Sequence, residues 1–255
     1  MKHLKLTLIT FLLGVMASGP LAGQGAPLIS IVYEDKDYFN LCESIDMPGG
    51  SKPLAIVDFT YALHIYPTYS VRTNEAYRLR SSAEGQSIAL LPSLVFKDYR
   101  GKKVWQHHLL HARGEAEQKA LAPNLPGRWQ IDEAERKEIL GISCQLAVLQ
   151  TPGCQLRAWF TPDIPFPDGA TVQTTGLPGL TLKLEVGTGG KGYEAVRLLL
   201  SSPEPLPLPN FTPSGLSGSE AALQARQDDQ TPKIDGSTVV GQWLPMPTLL
   251  DRFEE

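Results

Sequence analysis

His107-His108-Leu-Leu-His111 is the one cluster in the chain with ligand-like side chains. Neutral imidazole is a common metal ligand. The spacing decides whether these three can share an ion. On a helix, His107 and His111 fall one turn apart on one face, with His108 three residues before His111. On a strand, His107 and His111 share a face about 13 Å apart and His108 points the other way. The preceding Val104-Trp105 and a turn at Asp98-Tyr-Arg-Gly101 favour a strand. The expectation is therefore solvated strand histidines, with a metal site as the alternative. Two further stretches invite a chemical reading. Gly187-Thr-Gly-Gly-Lys-Gly192 looks like a phosphate loop but lacks the strand–GxxxxGK[ST]–helix frame, so it reads as a hairpin turn. Asp163 and Asp168 sit in a proline-spaced loop, where paired carboxylates for acid–base work and simple loop caps are both open. No Gly-x-Ser-x-Gly elbow is present. No catalytic constellation is recognisable and no cofactor is implied, so a non-enzymatic protein is expected.

The elements that would carry these residues are strands. Leu28–Glu34 alternates, Leu54–Tyr66 is β-branched and aromatic, and Tyr69–Arg80 is a wetter strand. Ser81–Pro92 reads as a loop or one helical turn. Ser93–Lys97 and Lys102–His111 flank the Asp98–Gly101 turn as a hairpin. Arg113–Ala122, rich in Ala, Glu and Lys, predicts a brief exposed helix. Trp129-Gln-Ile131 starts a strand and Asp132–Lys137 reads as a charged turn. Ile139–Gln150 and Cys154–Phe160 form a second hairpin about Thr151-Pro-Gly153. A turn at Gly176-Leu-Pro-Gly179 delivers Leu180–Val186, with Leu180, Leu182, Leu184 and Val186 on one face and Thr181, Lys183 and Glu185 on the other. Tyr193–Leu200 is the return strand. Phe59, Tyr61, Trp105, Trp129, Trp159 and Phe160 read as core. The fold class is mostly β, an antiparallel meander that can curve into a half-barrel, with one or two short helices.

Residues 1–23 read as a secretory signal peptide, with Lys2 and Lys5 ahead of the apolar run Leu6–Met16 and a small-residue end. That run is too short for a bilayer span, which takes about 20 residues. Removing the leader deletes two lysines and no acid, so the formal charge moves from −4 to −6. An acidic chain without a basic run is a poor nucleic-acid binder. No later segment is long enough for a membrane helix. The expected address is the periplasm or the periplasmic face of the outer membrane. One β domain is expected over 24–202. Beyond it, 203–255 is a Pro-rich tail in which Pro203–Pro209 is linker, Ser219–Gln227 is a short helix, and Trp243, Leu244, Leu249 and Leu250 form a docking arm.

Export permits a disulfide, but Cys42, Cys144 and Cys154 are an odd set. In the second hairpin Cys154 would face Leu149 or Gln150, and Cys144 would face about Phe160, so those two are not cross-strand neighbours. Buried free thiols are expected, with a Cys42–Cys144 bridge as the alternative.

Residues 128–200 resemble the GLPGLI family. The resemblance rests on Trp129, Ile139-Leu140-Gly141, Cys144, Trp159-Phe160-Thr161-Pro162, Ile164-Pro165, Gly169 and Gly176-Leu177-Pro178-Gly179-Leu180. Thr181 stands where the family name has isoleucine, on the face expected to point outward. Ile31-Val-Tyr-Glu34 resembles the family's opening strand. The resemblance implies an exported protein of Gram-negative bacteria without an assigned activity, and its motif residues are structural positions only. The role expected from a curved sheet with an apolar face is a binding or envelope-accessory protein holding an apolar, lipid or protein ligand on its sheet, with an outer-membrane protein or a lipid as partner. The alternative is a periplasmic metal-binding protein using His107, His108 and His111.

Overall fold

The computed structural model describes residues 29–36, 55–82, 88–90, 92–108, 115–121, 127–151, 154–171, 174–187, 191–199, 212–216, 220, 223–224, 227, 233–234, 238 and 240–246. The expected leader (residues 1–23), Cys42, His111, the expected linker Pro203–Pro209, Leu249 and Leu250 lie outside these residues.

The described chain is mostly β, in one large mixed sheet that is not closed. Its inner strands are β1 (Ile29–Lys36), β2 (Ala55–Ile65) and β3 (Tyr69–Ser82). A short β4 (Ile88–Ala89) follows, then the hairpin β5 (Ser93–Asp98) and β6 (Lys103–His108), then β7 (Glu115–Ala120). The second half contains β8 (Gln130–Ile139), β9 (Ile142–Thr151), β10 (Cys154–Thr161), β11 (Leu180–Val186) and β12 (Lys191–Leu199). The tail adds β13 (Thr212–Pro213), β14 (Lys233–Ile234) and β15 (Trp243–Pro245).

Two meanders share the sheet. The order is β13-β7-β6-β5-β3-β2-β1-β12-β11-β10-β9-β8, with β15 paired to β3 and β14 paired to β4 apart from it. The chain starts at the centre, works out to β7, then resumes at the opposite edge with β8 and works back until β12 pairs antiparallel with β1. β7 and β8 are ten strand positions apart, roughly 48 Å in a flat sheet. Ten residues from Ala120 to Gln130 reach at most about 36 Å. The sheet therefore has to curve, and the half-barrel expectation holds.

Several expectations are corrected. The Ala/Glu/Lys segment is strand β7, because its pairing with Lys103–Gln106 of β6 overrides helix propensity. Asp132–Lys137 is part of strand β8 and not a turn between strands. The register with β9 slips between Asp132 and Arg136, and Asp132 Oδ1 accepts from the Ala134 and Glu135 N–H groups, so a capped bulge does locally what a turn would. The reversal comes later, at Leu140 (φ 52°) and Gly141 (φ 77°), where a two-residue loop with both φ positive joins Ile139 to Ile142. β13 runs parallel to β7, so the sheet is not wholly antiparallel. Ser81–Pro92 includes β4.

The other hairpins fall where expected. Asp98 Oδ1 accepts from the Arg100 and Gly101 N–H groups and tightens the β5–β6 turn. Val186 pairs with Lys191 across the glycine-rich segment, with Gly187 at φ 61°. Cys154 lies opposite Thr151, and Phe160 opposite Gln145. Cys144 is a buried free thiol. Helical backbone occurs at Glu220, Leu223, Gln224 and Gln227. Among the described residues no helix is long and apolar enough to cross a membrane.

The main core lies where the two meanders meet. Ile29, Ile31 and Tyr33 of β1 and Tyr61, Leu63 and Ile65 of β2 pack with Leu156 and Ala158 of β10 and Leu180, Leu182 and Leu184 of β11. Ile164, Phe166, Ala170 and Leu177 of the β10–β11 loop are buried in the same cluster. The loop thus fills this part of the concave face. A second cluster of Tyr66, Tyr69, Val71, Leu94 and Phe96, with Trp105 against it, sits on the opposite face of β3 and β5. Of the aromatic residues expected in the core, Tyr61, Trp159 and Phe160 are buried, and Phe59, Trp105 and Trp129 are half-buried.

Candidate functional site

The densest polar cluster is built around Asp168, in the loop between β10 and β11. Three prolines, Pro162, Pro165 and Pro167, hold this loop extended, and their rings stay exposed while Ile164 and Phe166 turn inward. Backbone bonds register it against β11: the Leu180 N–H donates to Ile164 O at 3.0 Å and the Thr181 N–H to Asp168 O at 2.8 Å. The Tyr33 hydroxyl on β1 donates to Thr181 O at 2.7 Å. Thr181 is buried at 2 % exposure, so the outward-facing expectation for it is corrected: the register shift between Trp159 and Phe160 sets Thr181 opposite buried Phe160, beneath the loop.

Asp168 reaches the other meander. Its Oδ2 accepts from Ser70 Oγ on β3 at 2.5 Å and from the Tyr99 hydroxyl at 2.6 Å. Its Oδ1 accepts from Lys97 Nζ on β5 and from the Gly169 N–H at 2.7 Å. Lys97 also donates to Gly169 O at 3.3 Å. Beside it, Arg72 donates to Ala170 O and stacks 4.9 Å over the Tyr61 ring. Ser70, Lys97 and Asp168 are all buried. β3–β5 register explains the convergence: Ser70 lies opposite Lys97, so both project from one face. Burial pushes the Lys97 ammonium down, against the pull of the Asp168 carboxylate. Burial pushes the Tyr99 hydroxyl up, and the same carboxylate adds to the shift.

Serine, lysine and tyrosine at one point are the parts of a nucleophilic site. Here their protons are committed. An ionised carboxylate has about four acceptor positions, and Asp168 fills them with Ser70, Tyr99, Lys97 and its neighbour's N–H. Ser70 donates to a carboxylate that three other donors also hold. The cluster is a clamp that ties loop 162–179 to β3 and β5. Asp163 is exposed, whereas Asp168 is buried and held by four donors, so the two carboxylates sit in different environments. Of these residues the sequence reading singled out Asp168 and Asp163 alone. A lysine ending the apolar run Leu94-Val-Phe-Lys97 was the available signal, since a lysine on a buried face calls for an acid.

His107 and His108 are at 0 % and 5 % exposure, on opposite faces of β6, so they are buried and not solvated. Among the described residues no group of three or more His, Cys, Asp or Glu is placed to hold a metal ion. The motif residues Gly141, Cys144, Trp159, Leu177, Gly179 and Leu180 sit at turns or in the core, with Trp129 packed against it and Pro162, Pro165, Gly176 and Pro178 at the surface of the turns.

A second network lies on the outer face. Asp58 of β2, 1 % exposed, takes Arg78 Nη2 at 2.7 Å and Arg80 Nε at 3.1 Å, and Arg78 also reaches Glu34 at 3.3 Å. The Arg78 guanidinium lies 4.5 Å from the Trp243 ring. This stack, with β15 paired to β3 and Leu244 and Met246 packed on Tyr77 and Leu79, docks the expected tail arm.

No family model and no curated protein matches the chain. Eleven chains among solved structures do. PNGF-II in its C2 crystal form is 14% identical with a TM-score of 0.50, and in its P21 form 14% identical with a TM-score of 0.52. Each alignment covers 79% of this chain and 34% of PNGF-II, so the chain spans about a third of that protein's length. The likeness is one of fold.

Proposed function

We propose that the chain is an exported, non-enzymatic binding or accessory protein of the cell envelope, of the GLPGLI kind, acting in the periplasm or on the periplasmic face of the outer membrane. The observation that carries this reading is the Asp168 clamp. The side chains with nucleophile and acid–base character, Ser70, Lys97 and Tyr99, are spent on holding a loop. The leader-like start and the Gly176–Leu180 turn support the address and the family resemblance.

The ligand is held on the sheet. Loop 162–179 takes the concave face over β1, β2 and β10–β11. On the same face across β3, β5 and β6, Arg72 lies opposite Val95 and Val95 opposite Gln106; Val95 is buried, and the half-buried Arg72 and Gln106 flank it as a narrow strip. A strip of this polarity suits a protein segment better than an acyl chain.

The test is a native mass spectrum of the mature protein from its own periplasm, with and without brief cross-linking. A partner polypeptide whose cross-linking is lost in Gln106→Arg supports the reading. A bound lipid mass would redirect it to an apolar cargo. A one-metal shift that disappears in the His107/His108/His111 triple alanine variant would replace it with metal binding.

A further inference from the structure

We propose that one corner of the sheet docks on an anionic bilayer surface through Arg100, Lys102 and Lys103. The strand register brings these cations together. Asp98 pairs with Lys103 across the β5–β6 turn, and Lys103 pairs with Ala120 at the end of β7. Arg100, Lys102, Lys103 and Lys119 are all exposed. Lys102 is held at φ 51°, which keeps it in the turn between Arg100 and Lys103, and its carbonyl accepts from the Leu121 N–H at 2.7 Å.

Asp98 and Glu117 offset two of the four positive charges at this corner and leave it net cationic. The Asp98 carboxylate accepts two backbone N–H groups of the turn. Glu117 is matched to Lys119 at 3.1 Å. Arg100, Lys102 and Lys103 have no ion pair among the described residues. The chain as a whole carries a formal charge of −4, so a net cationic tip is a local departure from its balance. Lys103 sits 6.0 Å over the half-buried Trp105 ring, an amphipathic residue of the type that settles at headgroup level.

The Trp105 ring beside Lys103 favours a bilayer over a soluble polyanion, because its apolar body can enter the headgroup layer while the cations stay outside. Docking through a few charges is reversible and falls away within a Debye length. The inference concerns the surface and holds for either face of a membrane, so it stands or falls apart from the proposed address.

The experiment is co-sedimentation of the mature protein, residues 24–255, with vesicles of phosphatidylcholine alone or with one quarter phosphatidylglycerol. Binding is expected to the anionic vesicles only, and to disappear at about 0.5 M salt, where screening is short-ranged. Arg100→Gln/Lys102→Gln/Lys103→Gln is expected to weaken binding by roughly a hundredfold, from three lost surface charges. Arg136→Gln/Lys137→Gln on β8, at the other sheet edge, is expected to leave it unchanged. Circular dichroism checks that each variant keeps its strands. No binding to anionic vesicles, equal loss in the two variants, or capture on heparin without vesicle binding would each overturn the proposal.

Discussion

Lys97 on β5 and Asp168, 71 residues later in the β10–β11 loop, form a buried ion pair that joins the two meanders of the sheet. Charges taken out of water are held in place by each other and by their remaining partners. Lys97→Met leaves a buried carboxylate with one cation fewer and is expected to cost about 3–5 kcal/mol. Asp168→Ala is expected to cost at least as much, because Ser70 and Tyr99 lose their acceptor along with Lys97. The double variant Lys97→Met/Asp168→Leu is expected to recover much of the loss. Urea unfolding of the three proteins checks the order.

The two glycines of Gly176-Leu-Pro-Gly179 serve different ends. Gly176 sits at φ 99°, a conformation that costs a residue with a side chain. Gly179 has no unusual φ, but an added Cβ would overlap the Thr161 carbonyl and meet Pro162 Cα at 3.0 Å. Gly141, at φ 77°, faces open space. Gly141→Ala is expected to cost about 1–2 kcal/mol from the backbone alone. Gly179→Ala is expected to cost about 3 kcal/mol or more, because the backbone it meets cannot move aside. Thermal melts of the two variants separate conformational from steric need.

These positions also show what was legible in the chain. The alternation of Leu180, Leu182 and Leu184 and the Gly-Leu-Pro-Gly turn are local, and strand and turn follow from them. Hairpins β5–β6, β9–β10 and β11–β12 are legible for the same reason. β7 was not, because Glu115–Ala120 has helix-forming residues and becomes strand only by pairing with β6. Nothing local says that β12 pairs with β1, whose partners Ile31 and Leu198 are far apart in the chain. The Asp168 clamp was half legible: an acid among prolines is visible, but Ser70, Lys97 and Tyr99 join it only through β3–β5 register and sheet curvature.

His64 on β2 makes stability depend on mild acid. Burial lowers its pKa from 6.5, and Ser30 Oγ lies 2.9 Å from its Nδ1. The unfolded chain takes up a proton near pH 6.5 that the folded protein resists, so the unfolded state binds more protons just below that pH. Stability is then complete above about pH 6.5 and falls as pH drops from there toward the lower folded pKa. His64→Gln is expected to flatten this part of the curve. Urea midpoints from pH 8 down to about pH 5 for both proteins check it, with the wild type losing more.

Cys144 gives the strictest test of the core between β8 and β10. It has no exposure, and its thiol lies 3.6 Å from Ile142 O. Burial pushes its pKa from 9.0 up to about 11, Asp163 adds to the shift, and Lys137 opposes it. At pH 8 the thiolate fraction is then about a hundredfold below that of an unperturbed thiol. Labelling of Cys144 by a disulfide reagent, in a Cys42→Ser/Cys154→Ser background, is expected to be slow in the folded protein and fast in urea. Asp163→Asn removes one of the two raising causes without touching burial, so it is expected to lower the thiol pKa and speed native labelling modestly. If labelling instead follows global unfolding in every variant, reagent access and not thiolate content governs Cys144, and the charge of Asp163 has no part in its protection.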